Sequence, residues 1–117
     1  TFLISDNAAG VSPHLWIVIV ANECGRLLIV NVTTWRETSS IMLDDSCILD
    51  VSDHAFIKHK SFIAYSEART PPQETMEKLL ESGLLTKHQP CSNALLLRIR
   101  EGLLHSSFAA PKHKNML

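Results

Sequence analysis

Residues 53–60 place two histidines and two lysines within a single short segment. An imidazole changes charge near neutral pH, so it can accept a proton in one step and donate it in another. An ammonium group stabilises the negative charge of a phosphate. The segment therefore predicts a phosphate-binding patch of Lys58 and Lys60, in which His54 and His59 are the candidates for general base and general acid. A solvated turn, bent by Asp53 and holding no ligand, is the alternative interpretation.

The conformation of this segment decides which side chains can share a site. If residues 58–62 are extended, Lys58 and Lys60 lie on one face and His59 lies on the other. His59 and Lys60 then meet in one site only where the segment bends, whereas His54 precedes it in a loop. His14 adjoins the first predicted strand, and it either forms a hydrogen bond in the core or contributes to the same phosphate site.

The same histidines could instead bind a metal ion together with a cysteine. His54 and His59, with Cys47 or Cys91, offer nitrogen and sulfur ligands. Their spacing matches no zinc module, and no two cysteines form a CxxC pair. The sequence thus predicts neither a metal ion nor another cofactor. The odd number of cysteines, three, favours buried free thiols in a reducing compartment over a disulfide framework.

Length and composition predict one globular domain. The chain has 117 residues, of which 45% are hydrophobic and 20% are charged, as in ordinary soluble proteins. Its net charge of −1 provides no protein-wide field for nucleic acid, so any such contact must come from a local patch. The longest apolar run, residues 15–21, is far shorter than the roughly 20 residues that cross a bilayer. These features predict a cytoplasmic protein without a membrane segment.

Strands dominate the first two thirds of the predicted secondary structure. Residues 14–21 and 26–35 are rich in β-branched and aromatic side chains, and the turn residues 22–25 between them predict a hairpin. Shorter strands are predicted at residues 47–51 and 61–66.

Two helices are predicted after the strands. Thr70-Pro-Pro-Gln73 has the form of a capping box, and Ser82-Gly83 is a plausible stop for that first helix. Ser92 is the predicted cap of the second helix. The apolar faces comprise Met76, Leu79 and Leu80 in the first helix and Leu95, Leu96, Ile99 and Leu103 in the second.

These elements predict an α+β fold, most simply a small β-barrel of about five strands followed by two C-terminal helices. The single domain spans residues 1–117. Residues 10–70 form its barrel core, residues 71–106 its helical part and residues 107–117 a flexible tail. Five leucines cover more than one face of the second helix. This helix is therefore either buried deep in the core of the domain or buried against a second subunit or partner.

The order of elements resembles the MazF/PemK family, the toxins of toxin–antitoxin systems, over residues 10–104. Val32-Thr-Thr34 closes the second strand as the hydrophobic-Thr-Ser/Thr step of that family does. Ser61-Phe-Ile63 is similar to the Ser-Phe-Val that begins a later strand in the family. Residues 96–103 approach the helical pattern Leu-x-x-Ile-x-x-Gly-Leu.

The resemblance implies an SH3-like barrel that forms a homodimer, binds single-stranded RNA and pairs with an antitoxin protein. Many such proteins are endoribonucleases that need no metal, and Thr33 and Thr34 match the family's hydroxyl pair beside the scissile phosphate. The family's Pro-x-Arg-Gly loop is replaced here by Ser12-Pro-His14, which lacks the arginine. The chain has therefore rebuilt its site around other residues, or it has lost catalysis.

Two functional hypotheses follow. In the first, a toxin-type protein binds RNA, His54 and His59 share proton transfer, and Thr33 and Thr34 donate hydrogen bonds to phosphate oxygens. The cations that hold phosphate in this hypothesis are Lys58, Lys60 and Arg69, with His14 nearby. In the second, a non-catalytic protein-interaction module uses the same fold and dimerises through its strands or its leucine-rich helices.

Overall fold

The computed structural model describes residues 2–6, 15–36, 43–54 and 57–117. These residues form six strands and three helices, so the α+β class is confirmed. In chain order the elements are β1 (Phe2–Asp6), β2 (Leu15–Ala21), β3 (Leu27–Thr34), β4 (Ile48–Leu49), β5 (Ser61–Arg69), α1 (Gln73–Glu81), β6 (Leu85–Pro90), α2 (Asn93–His105) and α3 (Pro111–Lys114).

All six strands belong to one antiparallel sheet in the order β4-β5-β3-β2-β1-β6. The predicted hairpin of β2 and β3 is confirmed. Its turn is held by Asn22, whose side-chain oxygen accepts hydrogen bonds from the backbone N–H groups of Cys24 and Arg26 at 3.1 and 2.9 Å. Gly25 completes the turn with φ of 76°, a conformation that glycine adopts without steric cost.

Neither β1 nor β6 is among the strands that the sequence predicts. β6 lies between the two main helices and pairs with β1. It buries little, because its residues are mostly polar and exposed, as edge strands allow. A strand of this kind has no alternation of apolar and polar residues from which it could be recognised.

The sheet curls until its two edges approach each other. His54 lies in the loop that follows β4, at one end of the strand order, and Gln89 lies in β6, at the other end. The Nε2 atom of His54 is 3.0 Å from the carbonyl oxygen of Gln89. This hydrogen bond joins the two margins of the sheet, because β4 and β6 are the strands at the two ends of the strand order.

The two faces of the sheet carry separate apolar cores. Alternate residues of a strand lie on opposite faces, so Leu28 and Val30 belong to one core and Leu27 and Ile29 to the other. Helix α2 covers the first core and α1 covers the second. The buried residues of the first core include Ile17, Ile19, Leu28, Val30, Ile63, Tyr65, Leu95, Ile99 and Leu103, and those of the second are Val18, Leu27, Ile29 and Met76.

The predicted cap of α2 is confirmed, since the hydroxyl of Ser92 accepts a hydrogen bond from the Leu95 N–H at 3.1 Å. The predicted stop of α1 is also confirmed. That helix ends at Glu81, with Ser82 as its C-cap and Gly83 at φ of 81°.

The predicted capping box of α1 is wrong. The N-cap is Pro72, whose side chain makes no capping hydrogen bond, and the helix begins at Gln73. Thr70 cannot cap because the chain stays extended beside β3. Leu27 N–H donates to the Pro71 carbonyl at 2.9 Å, and the Arg26 guanidinium donates to the Thr70 carbonyl at 2.8 Å.

Residues 107–117, predicted as a flexible tail, contain the short helix α3. Ala109 and His113 are both buried, and Met116 packs against the first core. The C-terminal residues thus contribute to the packing of the domain.

Candidate nucleic-acid interface

Strands β3 and β5 bring the predicted hydroxyl pair beside the His/Lys segment. In the antiparallel register, Thr33 is opposite Phe62 and Thr34 is opposite Ser61. The pairing continues one residue further, because the Trp35 N–H donates to the Lys60 carbonyl at 2.9 Å. These backbone contacts place Thr34 next to the segment that ends at Lys60.

Lys60 forms a cation–π contact with Trp35. Its Nζ atom lies 4.8 Å from the centroid of the indole ring. Lys60 is exposed and Trp35 is half-buried. The ring is fixed from below by Phe62, with ring centroids 5.7 Å apart in an edge-to-face arrangement. The structure therefore presents an aromatic ring that packs on Phe62 and has an exposed cation over it.

A second pair of the same kind lies on the same face of the sheet. The guanidinium carbon of Arg69 is 5.7 Å from the centroid of the Trp16 ring. Trp16 is opposite Asn31 in the β2–β3 register, and cross-strand partners share a face. Asn31 and Trp35 are four residues apart and lie on one face too, so the two pairs are separated by roughly 13 Å along β3.

Thr33 has a different environment. Its hydroxyl donates to the side-chain oxygen of Asn31 at 2.5 Å. It also lines a surface cavity together with the carboxylates of Asp44 and Glu67. Two carboxylates beside one hydroxyl repel a phosphate.

The two histidines of the segment are held by different parts of the fold. His54 is half-buried, and its Nε2 atom must carry the proton of the 3.0 Å contact to the Gln89 carbonyl, because a carbonyl only accepts. This attaches His54 to β6. His59 is exposed and immediately precedes Lys60, and its carbonyl accepts a 2.8 Å hydrogen bond from the Ser61 hydroxyl. The structure thus places His59, and not His54, directly before the run of residues that pairs with β3.

Two further predicted phosphate ligands are Lys58 and His14. Lys58 is exposed on the same loop. His14 lies outside the described residues, and its role stays a prediction.

Asp53, the first residue of the segment, is an anchor that connects β4 to α2. Its Oδ1 atom accepts a 2.6 Å hydrogen bond from the Arg98 guanidinium, which also donates to the Ile48 carbonyl at 2.8 Å. Its Oδ2 atom accepts from the Asp50 N–H at 2.9 Å, which bends the loop. The hydrogen bond to Asp53 raises the pKa of Arg98. The sequence gives no signal for this ion pair, because its partners lie far apart in the chain.

The cysteines do not supply the alternative metal site. Cys24, Cys47 and Cys91 are free thiols, and the latter two are buried. Burial raises the pKa of Cys47 and of Cys91, which keeps both thiols protonated, whereas metal ligation and nucleophilic attack need the thiolate. Among the residues described, no three His, Cys, Asp or Glu side chains are grouped so that they could hold a metal ion.

Comparison with protein-family models, with curated proteins and with solved structures finds no match to this chain. Within the described part of the chain, no helix has both the length and the apolar character required to span a membrane.

Proposed function

We propose that the protein binds single-stranded RNA on the sheet face that carries Trp35 with Lys60 and Trp16 with Arg69. The observation that supports this best is the 4.8 Å contact of Lys60 Nζ with the half-buried Trp35 ring. Lys60 follows the exposed His59 in the sequence. Nucleobases stack on aromatic rings and on guanidinium planes, and cations beside them neutralise the backbone phosphates.

The spacing of the two aromatic–cation pairs suits a single strand. Roughly 13 Å along β3 separates two stacking positions, a distance that an extended single strand crosses in a few nucleotides. A rigid duplex keeps its bases stacked on each other and cannot use both positions. Sequence-specific hydrogen bonding is not required for this type of binding, because every base has a π-face.

The finer proposal is that the protein is a MazF/PemK-like toxin with an SH3-like barrel that dimerises, cleaves the bound RNA without metal and is neutralised by an antitoxin. His59 is the candidate acid or base closest in sequence to the proposed phosphate ligand Lys60. An imidazole there can take the 2′-hydroxyl proton while the lysine stabilises charge on the phosphorane. The curled sheet with α2 packed inside it is compatible with a barrel.

A binding experiment tests the proposal. Anisotropy of a short fluorescent single-stranded RNA is measured over a salt series for the native protein, Lys60→Gln and the control Lys78→Gln. Lys78 is equally cationic but lies on α1, where it pairs with Glu74 at 3.2 Å. We expect Lys60→Gln to weaken binding and to reduce the salt slope by about one, since one phosphate contact is lost. Salt-insensitive binding, or equal effects of the two substitutions, would refute the proposal.

Cleavage is tested separately in EDTA, with identification of the product ends. We expect a 2′,3′-cyclic phosphate from the native chain and loss of cleavage in His59→Ala. His105→Ala, which removes an exposed histidine from α2, is the matched control, and His54→Ala reports on the histidine held by β6. Salt-dependent binding without cleavage would retain the RNA-binding function and reject the nuclease.

A second candidate function is supported by the outer face of α2. Leu97 and Leu104 are 58% and 52% exposed, and residues seven apart lie on one side of a helix. A protein-interaction module would use this face, and its oligomer would be insensitive to moderate salt. Sedimentation of the native protein and of Leu97→Glu at low and moderate salt separates the candidates. A monomer in both cases would reject self-association through α2.

A further inference from the structure

A surface cavity of about 320 Å³ lies beside the margin of β5 and has the opposite electrostatic character from the proposed RNA-binding face. Phe62, Ala64 and Phe108 supply its apolar wall. Its polar lining residues include Asp44, Glu67 and Thr33. No lysine, arginine or histidine is among its lining residues.

Asp44 is a buried carboxylate that forms neither of the ion pairs seen among the residues that the structure describes. It is 4% exposed. Its Oδ1 atom accepts from the Ser46 N–H at 3.0 Å, and its Oδ2 atom accepts from the Ser106 hydroxyl at 2.5 Å. Both donors are neutral. These bonds fix the direction of the carboxylate, but they do not balance its charge, which burial makes costly.

The chain offers no obvious counter-ion for this pair of acids. The ion pairs Lys78–Glu74 and Arg98–Asp53 involve neither Asp44 nor Glu67. The remaining segments, residues 1, 7–14, 37–42 and 55–56, contain no lysine or arginine in their sequence. A cation carried by another molecule would complement the charge of the cavity.

We propose that this cavity binds a guanidinium group carried on an aliphatic stem, as in an arginine side chain of a partner peptide. The planar guanidinium presents donors in a fork that matches carboxylate oxygens, and it stacks on aromatic rings. Phe62 and Phe108 contact the stem and the face of the cation, while Asp44 and Glu67 accept its hydrogen bonds. An anionic ligand is repelled here, so the cavity itself does not take the phosphates of RNA, although Thr33 and Phe62 place it on the same face of the sheet as Trp35.

The test is an NMR titration of the isotopically labelled full chain with N-acetyl-arginine amide and with its citrulline analogue. Citrulline keeps the shape and loses the charge. We expect saturable shifts at residues around Asp44 and Phe108 for the arginine ligand, and at least about tenfold weaker binding for citrulline, because the charge-assisted hydrogen bonds are lost. Equal binding of the two ligands, or shifts confined to another surface, would overturn the proposal.

Matched variants localise the effect. Glu67→Gln removes one exposed carboxylate from the cavity, and Glu77→Gln removes one exposed carboxylate from α1. We expect Glu67→Gln to raise the Kd for the arginine ligand several-fold and Glu77→Gln to leave it unchanged. Identical Kd values for both variants would reject the site. Glu67 is exposed, so this comparison does not depend on a substitution in the core, as Asp44→Asn would.

The source of the guanidinium is distinguished by a second ligand series. An arginine flanked by two alanines, with blocked ends, carries peptide backbone on both sides, whereas agmatine carries none. Tighter binding of the peptide would support a partner protein. Tighter binding of agmatine would assign the cavity to a free small cation and overturn the peptide source.

Discussion

The phenolic oxygen of Tyr65 occupies the space that a side chain at Gly102 would need. Tyr65 donates a 2.6 Å hydrogen bond from its hydroxyl to the Ile99 carbonyl in α2. A Cβ atom built on Gly102 would lie 2.3 Å from that oxygen, 2.9 Å from the Cβ atom of Cys47 and 3.0 Å from the Ser46 carbonyl. The glycine thus allows α2 to approach β5 and the start of β4.

Gly102→Ala is expected to destabilise the protein although alanine favours helices. The overpacking cost of roughly 1–3 kcal/mol exceeds or cancels the gain of about 1 kcal/mol in helix propensity. The free energy of unfolding, measured by urea denaturation, checks this. The neighbouring exposed substitution Glu101→Ala is the control and should be near neutral. Combining Gly102→Ala with Tyr65→Phe should recover part of the loss, because the closest contact is removed.

Arg98→Lys is expected to lower the free energy of unfolding by roughly 0.5–1.5 kcal/mol. Arg98 uses two separate nitrogens for Asp53 and the Ile48 carbonyl, and a lysine ammonium lacks that planar fork. Because the Arg98 side chain is 48% exposed and that of Asp53 16% exposed, solvent screens part of the ion pair. Glu74→Gln, which breaks the fully solvated pair on α1, should change stability by less than about 0.5 kcal/mol. A larger effect from Glu74 would contradict this ranking.

Stability is expected to fall as the pH drops through the ordinary titration range of histidine, in part because of His113. Burial lowers the pKa of His113, and the neighbouring Lys112 adds a smaller effect in the same direction. The unfolded chain then takes up a proton below about pH 6.5 that the folded chain resists, so the contribution is complete above that pH and is lost below it. Each such proton changes stability by at most about 1.4 kcal/mol per pH unit.

His113→Met should reduce this acid sensitivity because methionine does not titrate. Thermal melts between about pH 7.5 and about pH 5.5 compare it with His105→Gln, which removes an exposed histidine. If the two variants show the same dependence of Tm on pH, His113 is not a source of it.

Ser92→Ala is expected to cost about 1 kcal/mol, the usual value of an N-cap hydrogen bond. Asn93→Ala, at the next and exposed position, is the control. Equal losses in the two variants would show that the Ser92 hydroxyl does not stabilise the start of α2.

Elements with a strong local signal were predictable from the sequence. The β2–β3 hairpin combines two apolar runs with a turn that needs Gly25, and α2 combines the cap at Ser92 with an apolar face. β6 was not predictable, because an exposed edge strand is stabilised by pairing with β1 rather than by its own pattern. Thr70 has the sequence of a helix cap, but pairing of the chain with β3 prevails over that local preference.

The candidate site was predictable in composition but not in arrangement. Lys60 and Trp35 become neighbours through the register of two strands, and no property of either residue encodes that register. From the sequence, Trp16 and Trp35 could stack on bases, but their apolar strands favoured a place in the core or on a dimer surface, and only the structure places Lys60 over Trp35 and Arg69 over Trp16. Asp44 likewise gave no signal, because its burial depends on Ser106 in a distant part of the chain.

The pairing of β1 with β6 makes the folding of this protein slow to complete. Phe2 is opposite Pro90, so β1 and β6 pair only after the chain has been made through residue 90. The chain entropy is lost on closing this long loop before the contacts between the two strands are gained. The β2–β3 hairpin has short sequence separation and can form first. During synthesis on the ribosome, β1 then exposes one unpaired margin until β6 arrives, which makes the nascent chain more prone to aggregate than the finished protein.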